Sequence, residues 1–272
     1  MTGENMNTVR ILGKTARIID LSNTLSNDTQ AFEPNQHDIK YIDHVLGLTL
    51  GAQVFGLTLE QVKKAVPRGY AWAVEQVTLS THSGTHVDAP YHYGPQMTDG
   101  TPARTIDQVP LEWCMGDGVK LNFTHKQAGE GITAQDIGQE LGRIGHTLKA
   151  GDIVLIHTGA SQFFKEKGYD HRHAGLTREA TAFLVEQGVK LIGIDAWGLD
   201  RPFNVTFPEA MQGKTEFWES HFYGLENEYC QIEKLAHLEE LPDSGFTVMA
   251  LPYKIQRASS GWTRAVALVP VD

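Results

Sequence analysis

Runs of β-branched and apolar residues, each closed by turn-forming residues, recur along the chain. They predict strands at Ala16 to Leu21, Trp72 to Thr81, Val119 to Phe123, Asp152 to His157, Lys190 to Ile194, Phe246 to Pro252 and Arg264 to Val269. Between them, two segments carry helical periodicity with readable ends. One opens at Thr133, with Asp136 three residues on as a variant capping box, and spaces Ile137, Leu141 and Ile144 along one helical face. The other begins near Thr177 and stops at Gly188, a C-cap residue. Strands and helices interleave only partly, which predicts a mixed α/β fold rather than a regular doubly wound sheet. Residues 23 to 70 break the pattern. Polar and punctuated by Pro34, Gly47, Gly51, Gly56 and Pro67, they read as a long irregular excursion, of the kind used as lids or interface arms. No stretch repeats at a fixed period and none is rich enough in Gly, Ser and Pro to be a linker, so residues 1–272 read as one domain.

Composition narrows the function classes. A chain of 272 residues with 41% hydrophobic and 21% charged positions can build a full core without disulfides, which excludes disorder as an account of the whole chain. Lys plus Arg number 23 against 33 Asp plus Glu, giving a net charge of −10, which argues against binding a phosphate backbone. Two cysteines, Cys114 and Cys230, supply neither a disulfide framework nor a zinc ribbon, and fit a reduced cytoplasmic setting. The first residues lack a basic region followed by an apolar stretch, so no secretory signal is expected. The apolar run at 265–271 is far too short for a membrane span, which needs about 18 residues or more.

The chemistry concentrates in Thr81-His-Ser-Gly-Thr-His-Val-Asp-Ala-Pro-Tyr-His92. Three histidines, His82, His86 and His92, and the carboxylate of Asp88 fall within eleven residues, where 12 histidines in 272 predict roughly half of one. Two imidazoles and one carboxylate bind Zn, Mn or Fe firmly and leave positions open, so His82, His86 and Asp88 are candidate metal ligands. A helix over 82–86 is disfavoured by Gly84, by Thr81, Thr85 and Val87, and by Pro90. A straight strand would set His82 and His86 roughly 13 Å apart, too far to share one ion. The chain must turn between them, and Gly84 allows the turn. His86 and Asp88, two residues apart, then point the same way. His92, beyond Pro90, is either a fourth ligand or a proton carrier. No nucleophile elbow of the G-x-S-x-G type is present.

The segment His82-Ser-Gly84-Thr85-His86-Val-Asp88-Ala-Pro90-Tyr-His92 matches the HxGTHxDxPxH signature without departure. On it the chain resembles the cyclase-like family of metal-dependent hydrolases, which includes bacterial kynurenine formamidases and isatin hydrolases. The opening IIDLS, the DIVLIHTG and GIDAW segments, and the late QIEKLAHLEELP and RAVALV runs extend the likeness over most of the chain, apart from the first fifteen residues. The resemblance implies a swivelling β/β/α fold, His82, His86 and Asp88 as ligands of Mn2+ or Zn2+, and His92 handling protons at the reacting centre. It further points to His221 and Glu233, twelve residues apart, as completing a second metal site or supporting the first. Many kynurenine formamidases carry Ser in a Gly-x-Asp-x-x-Ser-x-Asp segment, where this chain has Gly193-Ile-Asp195-Ala-Trp197-Gly198-Leu-Asp200. That departure, the 23–70 excursion and the ending Ala258-Ser-Ser-Gly-Trp-Thr-Arg-Ala-Val-Ala look more like the isatin-hydrolase branch.

The implied activity is hydrolysis of a small aromatic lactam or amide, isatin first and N-formylkynurenine second. Phe32, Trp72, Trp197 and Phe203 are candidate walls of the substrate pocket, since such pockets are apolar with few polar anchors. Two other classes use similar ligands, an Fe(II) oxygenase and a metal-binding protein without turnover. Family members associate as dimers or tetramers, so a homodimer or homotetramer is implied here.

Overall fold

All but one of the β-branched runs become strands of one ten-stranded sheet; the run Trp72 to Thr81 instead gives the strand Val74–Thr78 of a separate two-stranded sheet. In a computed structural model, residues 7–30 and 37–271 are described. The sheet runs in the order Thr8–Ile11, Lys14–Asp20, Val266–Pro270, Ser244–Met249, Met115–Asn122, Ile153–His157, Leu191–Ile194, Cys230–Glu233, His86–Asp88 and Ser260–Trp262. Only four adjacent strands in its middle, from Met115–Asn122 to Cys230–Glu233, are mutually parallel. The other ladders are antiparallel. This is the mixed α/β architecture that partial interleaving predicts.

Burial explains the sequence of these strands. Ile153, Val154, Leu155 and Ile156 are all buried, as are Leu191, Ile192 and Ile194, so these strands read as continuous apolar runs. Their core includes Val87, Ile232, Leu235, Phe246, Val248 and Ala267. The helix Ala134–Ile144 starts at Thr133, whose side chain and that of Asp136 form the reciprocal capping box, and ends at Gly145 in the left-handed region. Thr177 caps the helix Arg178–Glu186, and Gly188 has φ +90°.

The described residues of 26–80 form one compact unit, and the other described residues form another. Here the structure corrects the expectation of an irregular excursion. Strands Asp38–Ile42 and Val74–Thr78 pair antiparallel, and helices His44–Val54 and Leu59–Ala65 lie between them in sequence. Asp43 caps the first helix by accepting from the N–H groups of Val45 and Leu46. Gly47 and Gly51 mislead as turn markers. A Cβ on Gly47 would lie 2.0 Å from the Trp72 carbonyl oxygen, and one on Gly51 would lie 2.7 Å from the Trp72 ring. These glycines admit an indole against a helix. Leu48, Ala52 and Val62 form the small core of this unit, with Val66 and Ala71 packed on it.

Candidate metal centre

The sheet brings the chemistry together. His86 and Asp88 lie on one face of the strand His86–Asp88, whose partner strand sets Glu233 opposite His86 and Gln231 opposite Asp88. Before this strand the chain turns at Gly84, φ +65°, as the spacing predicts. The turn returns His82 to the site, with its Nδ1 2.9 Å from Asp88 Oδ1. Past Ala89, Pro90 starts the single helical turn Pro90–Tyr93, which sets the His92 ring 4.1 Å from that of His82. His221, on the helix Glu219–Tyr223, completes the group at 5.5 Å from His92.

Hydrogen bonds set the ring orientations. Nδ1 of His86 donates to the Gly84 carbonyl at 2.8 Å, which leaves the lone pair of Nε2 facing Asp88 Oδ1 at 3.2 Å and Glu233 Oε2 at 3.6 Å. His221 repeats the arrangement: Nδ1 is bonded to Asp200 Oδ2, and Nε2 faces Glu233 Oε1 at 3.8 Å. Asp200 also accepts from the Ser220 N–H, and Glu233 Oε1 from the Leu199 N–H. His82 Nε2 meets Ser259 Oγ at 2.9 Å.

A lone pair aimed at two carboxylates is repulsive unless a cation lies among them, and this is the test of whether the residues fit a metal. Nε2 of His86 and both oxygens of Asp88 are buried without an aligned hydrogen-bond partner. Ligand atoms of His82, Asp88 and His92 lie within 4.8 Å of one another, as do those of His86, Asp88 and Glu233, with Asp88 common to both groups. Neutral nitrogens and carboxylates so placed suit a divalent ion such as Zn or Mn.

Electrostatics separates the two carboxylates. Burial would raise the Asp88 carboxyl, but the imidazoles of His92, His82 and His86 outweigh it and hold the group well below its ordinary range. Burial and then the charge of Asp88 push Glu233 well above its own. Burial lowers His86 and brings His92 down to about 3, so His92 is neutral at neutral pH, with one ring nitrogen open to accept a proton.

The remaining pocket candidates divide. Trp197 and Phe203 pack together at 5.5 Å, and Phe203 lies 6.2 Å from Trp218. Trp218 in turn stacks on His221 at 4.0 Å and meets His92 edge-on at 5.1 Å. Aromatic rings thus lead away from the histidines, and Trp197 and Phe203 belong to them. Trp72 sits in the unit 26–80 against Gly51, and Phe32 lies outside the described residues. Sequence reading missed Trp218, whose backbone sits at φ +64°, an unusual place for a bulky residue. It also missed Tyr93, whose ring lies 5.2 Å from that of His221. Lys234 was missed too; directly after Glu233, its Nζ donates to the His82 carbonyl at 2.8 Å.

The sequence model of the Cyclase family matches residues 19–201. The chain belongs to the Cyclase family. It is 28% identical over 193 residues to the kynurenine formamidases of Erythrobacter litoralis (76% of that protein) and Maricaulis maris (79%), covering 71% of this chain in both cases. Its fold is that of an isatin hydrolase solved with the product analogue thioisatinate, with TM-score 0.74, 20% identity and 94% and 93% of the two chains covered. Isatin hydrolase A from Labrenzia aggregata, bound to benzyl benzoate, superposes with TM-score 0.72 and 22% identity over 94% of each chain. Membership covers the HxGTHxDxPxH segment, and no single described helix is long and apolar enough to cross a membrane.

Proposed function

We propose that this Cyclase-family protein is a metal-dependent hydrolase that opens the lactam of isatin or a similar small aromatic cyclic amide. In this reading His82, His86 and Asp88 hold a divalent ion, Zn2+ or Mn2+, His92 carries protons, and Glu233 and His221 support the same site. One observation carries it: the acceptors of Asp88 and the lone pair of His86 Nε2 converge, buried and without an aligned hydrogen-bond partner, beside His92. An ion held by His82, His86 and Asp88 would supply Lewis acidity toward a carbonyl and ease the ionisation of water. His92 accepts a proton from the attacking water at a ring nitrogen and returns it to the leaving amide nitrogen. Asp200 holds the tautomer of His221, and Trp218 screens both rings from solvent. Trp197 and Phe203 offer apolar surface to an aromatic substrate.

The test follows isatin absorbance with purified, chelator-treated and Zn2+- or Mn2+-reconstituted protein. Ring opening should disappear with the metal and return with it; no metal-dependent opening removes the lactamase reading. The formamidase names of the relatives favour a second reading, hydrolysis of N-formylkynurenine. A higher kcat/KM on that formamide than on isatin would select it. Two free, buried cysteines fit the cytoplasmic setting that this reading includes.

A further inference from the structure

Glycine is explained at nearly every buried place it occupies in this chain. With one exception, the described buried glycines have either a φ in the left-handed region or a neighbour that an added Cβ would meet at under 3.0 Å. The exception is Gly198. It is buried, its φ lies outside the left-handed region, and apart from its chain neighbours a Cβ there would meet, among the described residues, only Glu233 Oε1 at 3.7 Å, an ordinary contact distance. Neither the backbone nor the packing demands a glycine, although glycine loses more conformational freedom on folding than alanine does. What the missing side chain leaves is room, and that room faces a carboxylate whose other oxygen, Oε2, lies 3.6 Å from His86 Nε2.

The residues on either side suit a ligand placed there. Leu199, directly after Gly198, gives its N–H to Glu233 Oε1 at 3.2 Å, which leaves that oxygen a second lone pair. Trp197, directly before it, packs on Phe203 at 5.5 Å and carries an indole N–H that is buried without a hydrogen-bond partner among the described residues. A buried donor left unpaired is costly, and in a native fold it needs an explanation. We propose that Gly198 is a specificity-determining residue: it keeps open the space in which a flat aromatic amide or lactam lies beside Glu233, and Trp197 donates its indole N–H to a carbonyl oxygen of that substrate. This rests on the hydrolase reading above and adds where the substrate lies. A flat ring needs little more thickness than a methyl group takes, so filling position 198 should exclude substrate while Glu233, at contact distance, keeps its place.

Gly198→Ala fills the room with one carbon, and Trp197→Phe keeps a ring while deleting the donor. Both would be compared with wild type by thermal melts of metal-free protein, Zn2+ titration against a competing chelator, calorimetric titration of isatinate into Zn2+-loaded protein, and kinetics on isatin. We expect Gly198→Ala to melt about 1–3 °C higher, because alanine at an unstrained site restricts the unfolded chain, and to bind Zn2+ as wild type does. Its KM for isatin and Kd for isatinate should rise by about tenfold or more, the scale of one extra methylene in a fitted pocket. Trp197→Phe should raise both by about 2- to 10-fold, as loss of one hydrogen bond does. Unchanged KM and Kd in Gly198→Ala overturn the proposal by making the room an idle void, and a loss of Zn2+ affinity as large as the loss of substrate overturns it by making Gly198 a support of the metal centre. A lower Tm for Gly198→Ala, or failure to fold, overturns it too, since the glycine would then be structural; an unchanged Trp197→Phe overturns the donor role. Each of these leaves the hydrolase reading intact. Absence of metal-dependent isatin opening by the wild type removes that reading and this proposal with it.

Discussion

Asp88 is the residue on which both ligand groups depend, since its Oδ1 meets His82 at 2.9 Å and His86 at 3.2 Å. Asp88→Ala should abolish stoichiometric metal in the purified protein, measured by elemental analysis, and turnover with it. His92 offers a sharper division. As a proton carrier, His92→Gln should cut kcat by about 10²- to 10⁴-fold while retaining the metal; loss of the metal instead would make it a ligand. Away from the site, burial brings His173 down to about 4 from the ordinary 6.5, and its Nε2 has no hydrogen-bond partner. A folded-state value below the unfolded one means that the unfolded chain binds more protons between the two. The contribution of His173 is therefore complete above pH 6.5 and is lost as pH falls toward 4, roughly 3 kcal/mol in all. Urea melts across that interval should show a steeper loss for wild type than for His173→Gln, and parallel slopes would refute the assignment.

At the level of elements, the turn at Gly84 is what makes a short motif into a site. An alanine at φ +65° costs about 1–2 kcal/mol, and space is not the obstacle, because the nearest atom to an added Cβ is Leu25 Cδ1 at 3.4 Å. Gly145 shares φ +65° at a helix end far from the motif in sequence, with nothing within 4 Å. Gly84→Ala and Gly145→Ala should therefore lower Tm comparably, and only Gly84→Ala should weaken metal binding in chelator competition. The same elements show what was legible in the sequence. The turn, the common direction of His86 and Asp88, and both capped helices follow from local rules on spacing, φ and capping. The helix His44–Val54 was not legible, because it is apolar nearly all round and its glycines answer to Trp72, a contact more than twenty residues away. Strand pairing is equally non-local. The register that sets Glu233 against His86 joins segments about 150 residues apart, so Glu233 and His221 entered through family likeness. Trp218, Tyr93 and Lys234 lie outside the motif, and only packing assembles them on it.

For the whole molecule, charge and apolar surface pull in different directions. A net charge of −10 favours separate, soluble chains. The unit 26–80, however, exposes Val54 at 76%, Phe55 at 67% and Val45 at 65%, together with Tyr70 and Trp72. Next to them an apolar cavity of about 190 Å3 is lined by Leu48, Phe55, Leu57, Val62 and Trp72, among others. Contiguous apolar surface of this kind is uncommon on monomers and marks contact sites. It gives the homodimer or homotetramer proposed from family likeness a physical motive that the sequence pattern, read as a polar excursion, concealed. Light scattering should then return two or four times the 30.1 kDa chain mass. Val54→Asp with Phe55→Asp should shift that mass toward one chain, since a carboxylate buried at an apolar contact is poorly tolerated. Both positions are exposed on a helix end, at Val54 and its C-cap Phe55, so the double variant should keep its fold by circular dichroism. A single-chain mass for the wild type would contradict the assembly, and an unshifted oligomer in the variant would move the contact to another surface.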